Sequence, residues 1–287
     1  MLRFADGRYR MPLPDLLVLG LVGLLSFGLS YLGASVGLVF GQLRLPVLVY
    51  WLGSPAVGAA TSMAISAVAA LVGAGRHARA GRVDLRLMAT IGIPSAICAW
   101  LSSRIAPRLD PGLVKLFIGL TLVITGLVML WSIMRPPRPS EPSEPVEPSE
   151  PVEPSPSAST SAAMVDSQPK LVAEVTMGAS LGAIAGVVGL LLGTLRLPAM
   201  MKLGVHPAKA IGTNMAIGSI TGLFAGTAAV WDGTVDLWAF GVITPATMIG
   251  AYWGASTTGK LDKATLRRLI AWSLVGVGTW MAAEPWW

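Results

Sequence analysis

Two arginines in this chain of 287 residues stand where an arginine is expensive. Arg44 in Leu43-Arg44-Leu45-Pro46 and Arg196 in Leu195-Arg196-Leu197-Pro198 interrupt apolar stretches with no Asp or Glu close by in sequence. At a bilayer centre a lone guanidinium costs about 2.5 to 3.5 kcal/mol on insertion scales, so such a residue needs a partner or a task. A proline two residues on is suited to opening a short helix, whose first N–H groups form its positive end. Arg44 with Pro46, and Arg196 with Pro198, would then each make a place for an anion. Further on, Thr61-Ser62 and Thr213-Asn214 lie six or seven residues into helices opened by Pro55 and Pro207 and offer neutral donors to a small oxyanion. Gln42 and Thr194 flank the arginines and could hydrate a path beside them. Other roles stay open. The arginines could snorkel to lipid phosphate or backbone carbonyls, and the hydroxyls and amide could bond between helices or to their own helix carbonyls.

These residues come in pairs because the stretch that carries them occurs twice. Gly37–Ala64 and Gly189–Ala216 align without a gap at an offset of 152 residues, identical at 12 of 28 positions. The same offset pairs Gly81, Val83, Asp84 and Leu85 with Gly233, Val235, Asp236 and Leu237, and Asp110 with Asp262. A duplicated module sets the architecture before any single residue does. Hydropathy gives four segments per half: Leu16–Phe40, Pro46–Val72 broken at Gly53-Ser54-Pro55, Leu85–Leu101 and Leu113–Met134, then Val175–Leu195, Pro198–Val230 broken before Pro207, Leu237–Thr257 and Leu269–Ala283. The first is long enough for a roughly 30 Å hydrocarbon layer, the last is short for a full span and would use Trp286 and Trp287 as interfacial anchors, and dense Gly, Ala and Ser let helices approach closely. The fold class expected is an all-α polytopic membrane protein of about eight hydrophobic segments, with broken helices at the interface of two repeats.

Composition agrees. The chain is 53% hydrophobic and 13% charged, far from the roughly 25% charged residues of soluble domains. Its Met1–Arg10 start is basic but runs into too long an apolar stretch for a signal peptide, and is expected to be part of the mature chain. One cysteine, Cys98, excludes an internal disulfide. Residues 135–170, with SEPSEPVEPSEPVEPSPS at their centre, read as a disordered Pro/Glu/Ser linker between a first repeat, 1–134, and a second, 171–287. The net charge of +6 hides a partition, because residues 139–169 hold six acids and no base while the rest holds 21 bases against nine acids. That excess serves topology and lipid contact or a field that draws in an anion. Arg76, Arg79, Arg82 and Arg86 follow the second segment, whereas the counterpart loop, Trp231–Asp236, has two acids and no base. In the second half the bases come one loop later, at Lys260, Lys263, Arg267 and Arg268. Positive-inside reasoning places equivalent loops on opposite sides, which is the mark of an inverted repeat. It also requires an odd number of crossings per half, so one broken piece would not span fully.

The duplicated module resembles the TauE/SafE sulfite exporter family. The residues that carry the likeness are Gly37, Gly41 and Pro46, then Pro55, Ala60, Thr61 and Ser62, with Gly189, Gly193, Pro198, Pro207, Gly212, Thr213 and Asn214 in the second half. Two departures stand out: Leu38–Phe40 and Leu190–Leu192 replace part of a glycine run usual in the family, and Arg44 and Arg196 replace an apolar residue two before the proline. The resemblance implies export of sulfite, a sulfonate or a related organic anion across the cytoplasmic membrane of a bacterium. A channel or uniporter for another organic acid, or a membrane scaffold whose arginines bind lipid or a partner helix, remain alternatives. The partners expected are a small anion and the bilayer, with a homodimer left open and nucleic acid not expected. No phosphate loop, metal triad or Ser/His/Asp arrangement appears, so neither an enzyme nor a cofactor is expected; His77 and His206 read as structural. No acid outside the linker falls in mid-segment, so transport is expected to run on the anion gradient, the membrane potential or exchange, without a carboxylate proton carrier.

Overall fold

The computed structural model describes residues 13–36, 40–134, 160–256 and 263–284. Every regular element among them is helical. The first half runs α1 (Leu13–Val36), a 3-10 turn (Phe40–Gln42), α2 (Arg44–Trp51), α3 (Pro55–Arg79), α4 (Leu85–Leu87), a π turn (Met88–Gly92), α5 (Ile93–Ser103), a second 3-10 turn (Ala106–Arg108) and α6 (Pro111–Met134). The second runs α7 (Thr160–Val188), α8 (Gly193–Lys202), α9 (Pro207–Trp231), α10 (Leu237–Ser256) and α11 (Lys263–Ala283). Five described helices have the length and apolarity of a membrane span: Leu17–Ser35, Pro55–Arg79, Leu85–Arg108, Pro111–Met134 and Lys170–Val188, with Arg268–Ala283 a shorter apolar helix. This is fewer than the eight expected: α9 and α10 are not among the five, and the apolar part of α11 is shorter than a span. Most of residues 135–170 lie outside the described residues, but α7 already begins at Thr160, where the Pro-Glu-Ser pattern gives way to Thr-Ser-Ala-Ala-Met-Val.

The helix ends obey local rules. Ser54 accepts a bond from the Val57 N–H with Pro55 in the first turn of α3. Asp84 and Asp236 cap α4 and α10 in the same way, accepting from Leu87 N (3.1 Å) and Ala239 N (2.8 Å). Gly81 and Gly233, both at φ +67°, terminate α3 and α9. There the N–H of Arg82 reaches the His77 carbonyl and that of Thr234 the Ala229 carbonyl, the closure that needs a left-handed residue.

Small residues set the packing and reveal helix directions. In the central pair, α3 and α9 are antiparallel: Gly73 meets Met215, Gly222 meets Ala67 and Gly226 meets Ala64. Antiparallel contacts also join α6 to α11, with Gly119 beside Ala282 and Gly126 beside Val275. By contrast α1 runs parallel to α10, Phe27 and Tyr31 lying against Gly250 and Gly254, and α7 runs parallel to α5, Gly178 and Gly182 lying against Ile91 and Ser95. The basic C-terminal turn of α3 meets the end of α10, where Arg76 lies 4.2 Å over the Tyr252 ring. This basic end also holds the starts of α4, α7 and α9. At the opposite end, Arg104 pairs with Asp232 (3.6 Å) and Lys115 with Glu284 (2.6 Å), so those bases are partly neutralised where they stand.

Candidate functional site

Arginine 44 is the first residue of α2, and that short helix folds back along the first half of α3. Val49 fits against Gly58 there, where a Cβ would have no room. The fold-back brings Arg44 Nη2 to the Ser62 carbonyl (3.1 Å) and to Ser66 Oγ (2.8 Å), and closes water out: the arginine is 1% exposed. Pro46 therefore lies inside the first turn, where a missing N–H costs little, and does not open the helix. In the second half the departure is larger: α8 begins at Gly193 and Pro198 lies within it, because Gly193-Thr194-Leu195 starts the turn before the proline is reached.

Arg196 is as deeply buried, at 0% exposure, but its surroundings differ. Its Nε, Nη1 and Nη2 have no hydrogen-bond partner among the described residues, and neither arginine has an ion pair there. One of the two lost bonds is explained by the repeat: the residue 152 positions after Ser66 is Gly218, which has no hydroxyl to offer. Ser66 is a residue that sequence reasoning missed, and this Ser-to-Gly difference was the signal that could have found it. A buried cation without partners is unfavourable by itself, and a guanidinium carries five N–H donors.

Gln42 Nε2 donates to Thr194 Oγ1 at 3.3 Å, joining two residues that the repeat makes equivalent. Asn214 lies against the start of α8, where a methyl group on Gly193 would be 2.7 Å from its Nδ2. Thr194 and Pro198 also line a cavity of about 580 Å³ between α6 and α8, walled by Val128, Leu195 and Leu197 with Lys202 beside them. The threonines of the two polar pairs are drawn elsewhere. Thr61 Oγ1 accepts from the Asp236 N–H (2.9 Å) and Thr213 Oγ1 from the Asp84 N–H (2.8 Å), so each ties α3 or α9 to the helix start of the other half. Ser62 Oγ stays buried without a partner among the described residues.

The deciding observation from known proteins is that the family model "Sulfite exporter TauE/SafE" matches residues 21–281. The chain belongs to this family. No curated protein and no solved structure matches it. Membership of the TauE/SafE family makes it a multi-pass membrane transporter for sulfite or a related anion, and the match spans both arginine modules.

His206 caps α9 through Nδ1, accepting from Ala208 N at 3.4 Å, and His77 is buried in the last turn of α3. Among the described residues no group of His, Cys, Asp and Glu could hold a metal. Glu174 is buried on α7 but pairs with Arg86 at 3.4 Å, near the basic end.

Proposed function

We propose that this TauE/SafE protein exports an oxyanion, sulfite or a small organosulfonate, across a bacterial cytoplasmic membrane, and that Arg196 is the side chain that binds it. The carrying observation is the fully buried Arg196 guanidinium whose three nitrogens lack partners among the described residues. A sulfite or sulfonate oxygen pair matches the guanidinium fork. The mostly apolar cavity beside Thr194, with Lys202 on its wall, favours a sulfonate with a short carbon chain over a bare inorganic ion.

In this reading the two halves form an inverted repeat. Supporting it, α3 and α9, equivalent at the offset of 152, run antiparallel, as do α6 and α11, while α1 with α10 exchanges for α7 with α5. With α2 counted as a partial stroke, each half makes five strokes, and an odd number inverts the second half. The basic end then faces the cytoplasm. The anion site sits where α2 and α8 start, near the middle of α3 and α9, and alternating access moves the halves around it.

Flux of labelled sulfite and short alkanesulfonates into proteoliposomes tests this. Saturable flux that is lost in Arg196→Ala and kept in Arg82→Ala is expected. Flux that survives Arg196→Ala unchanged overturns the assignment.

A further inference from the structure

The offset of 152 residues relates α6 to α11 as well, and their packing obeys it. Gly126 lies against Ala271 and Gly278 against Gly119, the same contact with the halves exchanged. Beside this pair the ends of α2 and α8 reach equivalent places that differ in what fills them. At the end of α2 the Tyr50 ring stacks on Trp280 with centroids 4.7 Å apart. The Tyr50 hydroxyl donates to the Glu284 carboxylate, which also accepts from Lys115 at 2.6 Å. Moved by the offset, Tyr50 becomes Lys202, while Val128 stands for Trp280 and Ser132 for Glu284. All three replacements line the cavity of about 580 Å³ between α6 and α8. The second copy has lost a ring and a carboxylate and gained a base, and the cavity lies where they are missing.

An anionic group with an apolar body would complete it. Lys202 is exposed and has no ion pair among the described residues, and its Nζ lies 5.7 Å from the centre of the Trp131 ring. Both stand at the basic end, where α6 finishes and where α8 stops just before α9 starts. Trp and Lys at helix ends mark the level of lipid headgroups, and anionic headgroups are drawn to such a base. The cavity has the size of a ligand cleft, roughly 300–1,000 Å³, and Val128, Leu197 and Pro198 give it apolar walls. We propose that an anionic phospholipid of the leaflet at the basic end binds here. Its phosphate meets Lys202 and Ser132, and the upper part of one acyl chain lies along Val128 and Leu197. The lipid then fastens α8 to α6 from outside, as Glu284 and Trp280 fasten α2 from within the chain. Thr194, the cavity residue nearest in sequence to Arg196, is eight residues back along α8, a rise of about 12 Å. Lipid phosphate and transported anion therefore have separate places, and the lipid site stands whether or not Arg196 binds the anion.

Native mass spectrometry of the full chain in detergent, titrated with palmitoyl-oleoyl phosphatidylglycerol or the matching phosphatidylcholine, tests this without measuring flux. The first phosphatidylglycerol is expected to bind at least tenfold more tightly than the first phosphatidylcholine. Lys202→Met should bring the two lipids within twofold of each other, whereas Arg79→Met, which removes another exposed base at the same end, should leave the preference unchanged. Ser132→Glu, which copies Glu284, supplies the carboxylate from within and should also abolish the preference, so either variant decides if the other fails to fold. Equal affinity of the wild-type chain for both lipids overturns the site. So does a preference that survives in folded Lys202→Met or Ser132→Glu, or one that falls as far in Arg79→Met, which marks general surface attraction. Displacement of phosphatidylglycerol by an equal concentration of glycerol 3-phosphate also overturns it, because a headgroup alone would then suffice.

Discussion

Replacing each arginine with methionine should separate their roles, because the two burials are alike and the bonding is not. Arg44→Met removes two hydrogen bonds, at 3.1 and 2.8 Å, and leaves the Ser62 carbonyl and Ser66 hydroxyl unanswered. Bonds to a charged group are worth about 1.5 to 3 kcal/mol each, so this variant should be about 3 kcal/mol less stable than Arg196→Met. Arg196→Met breaks no bond within the described residues and relieves a buried unpartnered cation, so its stability should hold or rise. At a few degrees per kcal/mol, the two melting temperatures in detergent should differ by on the order of 5–10 °C. Ligand binding should show the reverse order. If the anion accepts two bonds from Arg196, their loss at about 1.5 kcal/mol each weakens Kd about a hundredfold. Saturating sulfite or methanesulfonate should then raise the melting temperature of wild type and fail to raise that of Arg196→Met. Equal melting temperatures for the two variants, together with an undiminished ligand shift in Arg196→Met, would refute the division of labour between the arginines.

Thr61→Val and Thr213→Val should each lower the melting temperature by the few degrees that about 1 kcal/mol represents, with anion affinity unchanged within twofold, since their oxygens receive the Asp236 and Asp84 N–H groups. Gly81→Ala and Gly233→Ala should each cost about 1 to 2 kcal/mol in a denaturation series, because φ is +67° at both. Lys115 and Tyr50 both donate to the Glu284 carboxylate and hold it below the usual carboxylate range. A depressed carboxylate stabilises above its unfolded pKa, and that stability is lost as pH falls through the folded value. Melting temperature should therefore decline on acidification below about pH 4.5, and Lys115→Met should flatten that decline.

Much of this was legible in the duplication. The offset of 152 identified both arginines, the prolines that open α3 and α9, the glycines that end them and the aspartates that start α4 and α10. The displacement of bases by one loop reads as opposed halves, and in the structure Arg76 lies over the Tyr252 ring near the close of α10. Arg104, Arg108 and Lys115 weaken that contrast in sequence; in space Asp232 answers Arg104 and Glu284 answers Lys115. Less legible was anything decided by contact between distant segments. Thr61 and Thr213 look like free donors because Asp236 and Asp84 lie 175 and 129 residues away. Pro46 and Pro198 look like helix starts because proline favours that place, yet tertiary packing extends the turn ahead of them. The π turn left a trace that counts residues: Pro94 matches Pro245 only if the offset falls by one after Met88, the single residue a π turn absorbs.

The parallel packing of α1 on α10 bears on how the chain is made. Phe27 meets Gly250, so α1, once in the bilayer, waits for a partner encoded about 220 residues later. At about 5–20 residues per second that is roughly 10–40 s with the contact face of α1 turned to lipid. A chain cut after its first half would leave α1 permanently without that seat, and α7, which rests on α5, would lack its own. The two halves should therefore rescue each other when co-expressed as separate chains, and neither should persist when made alone.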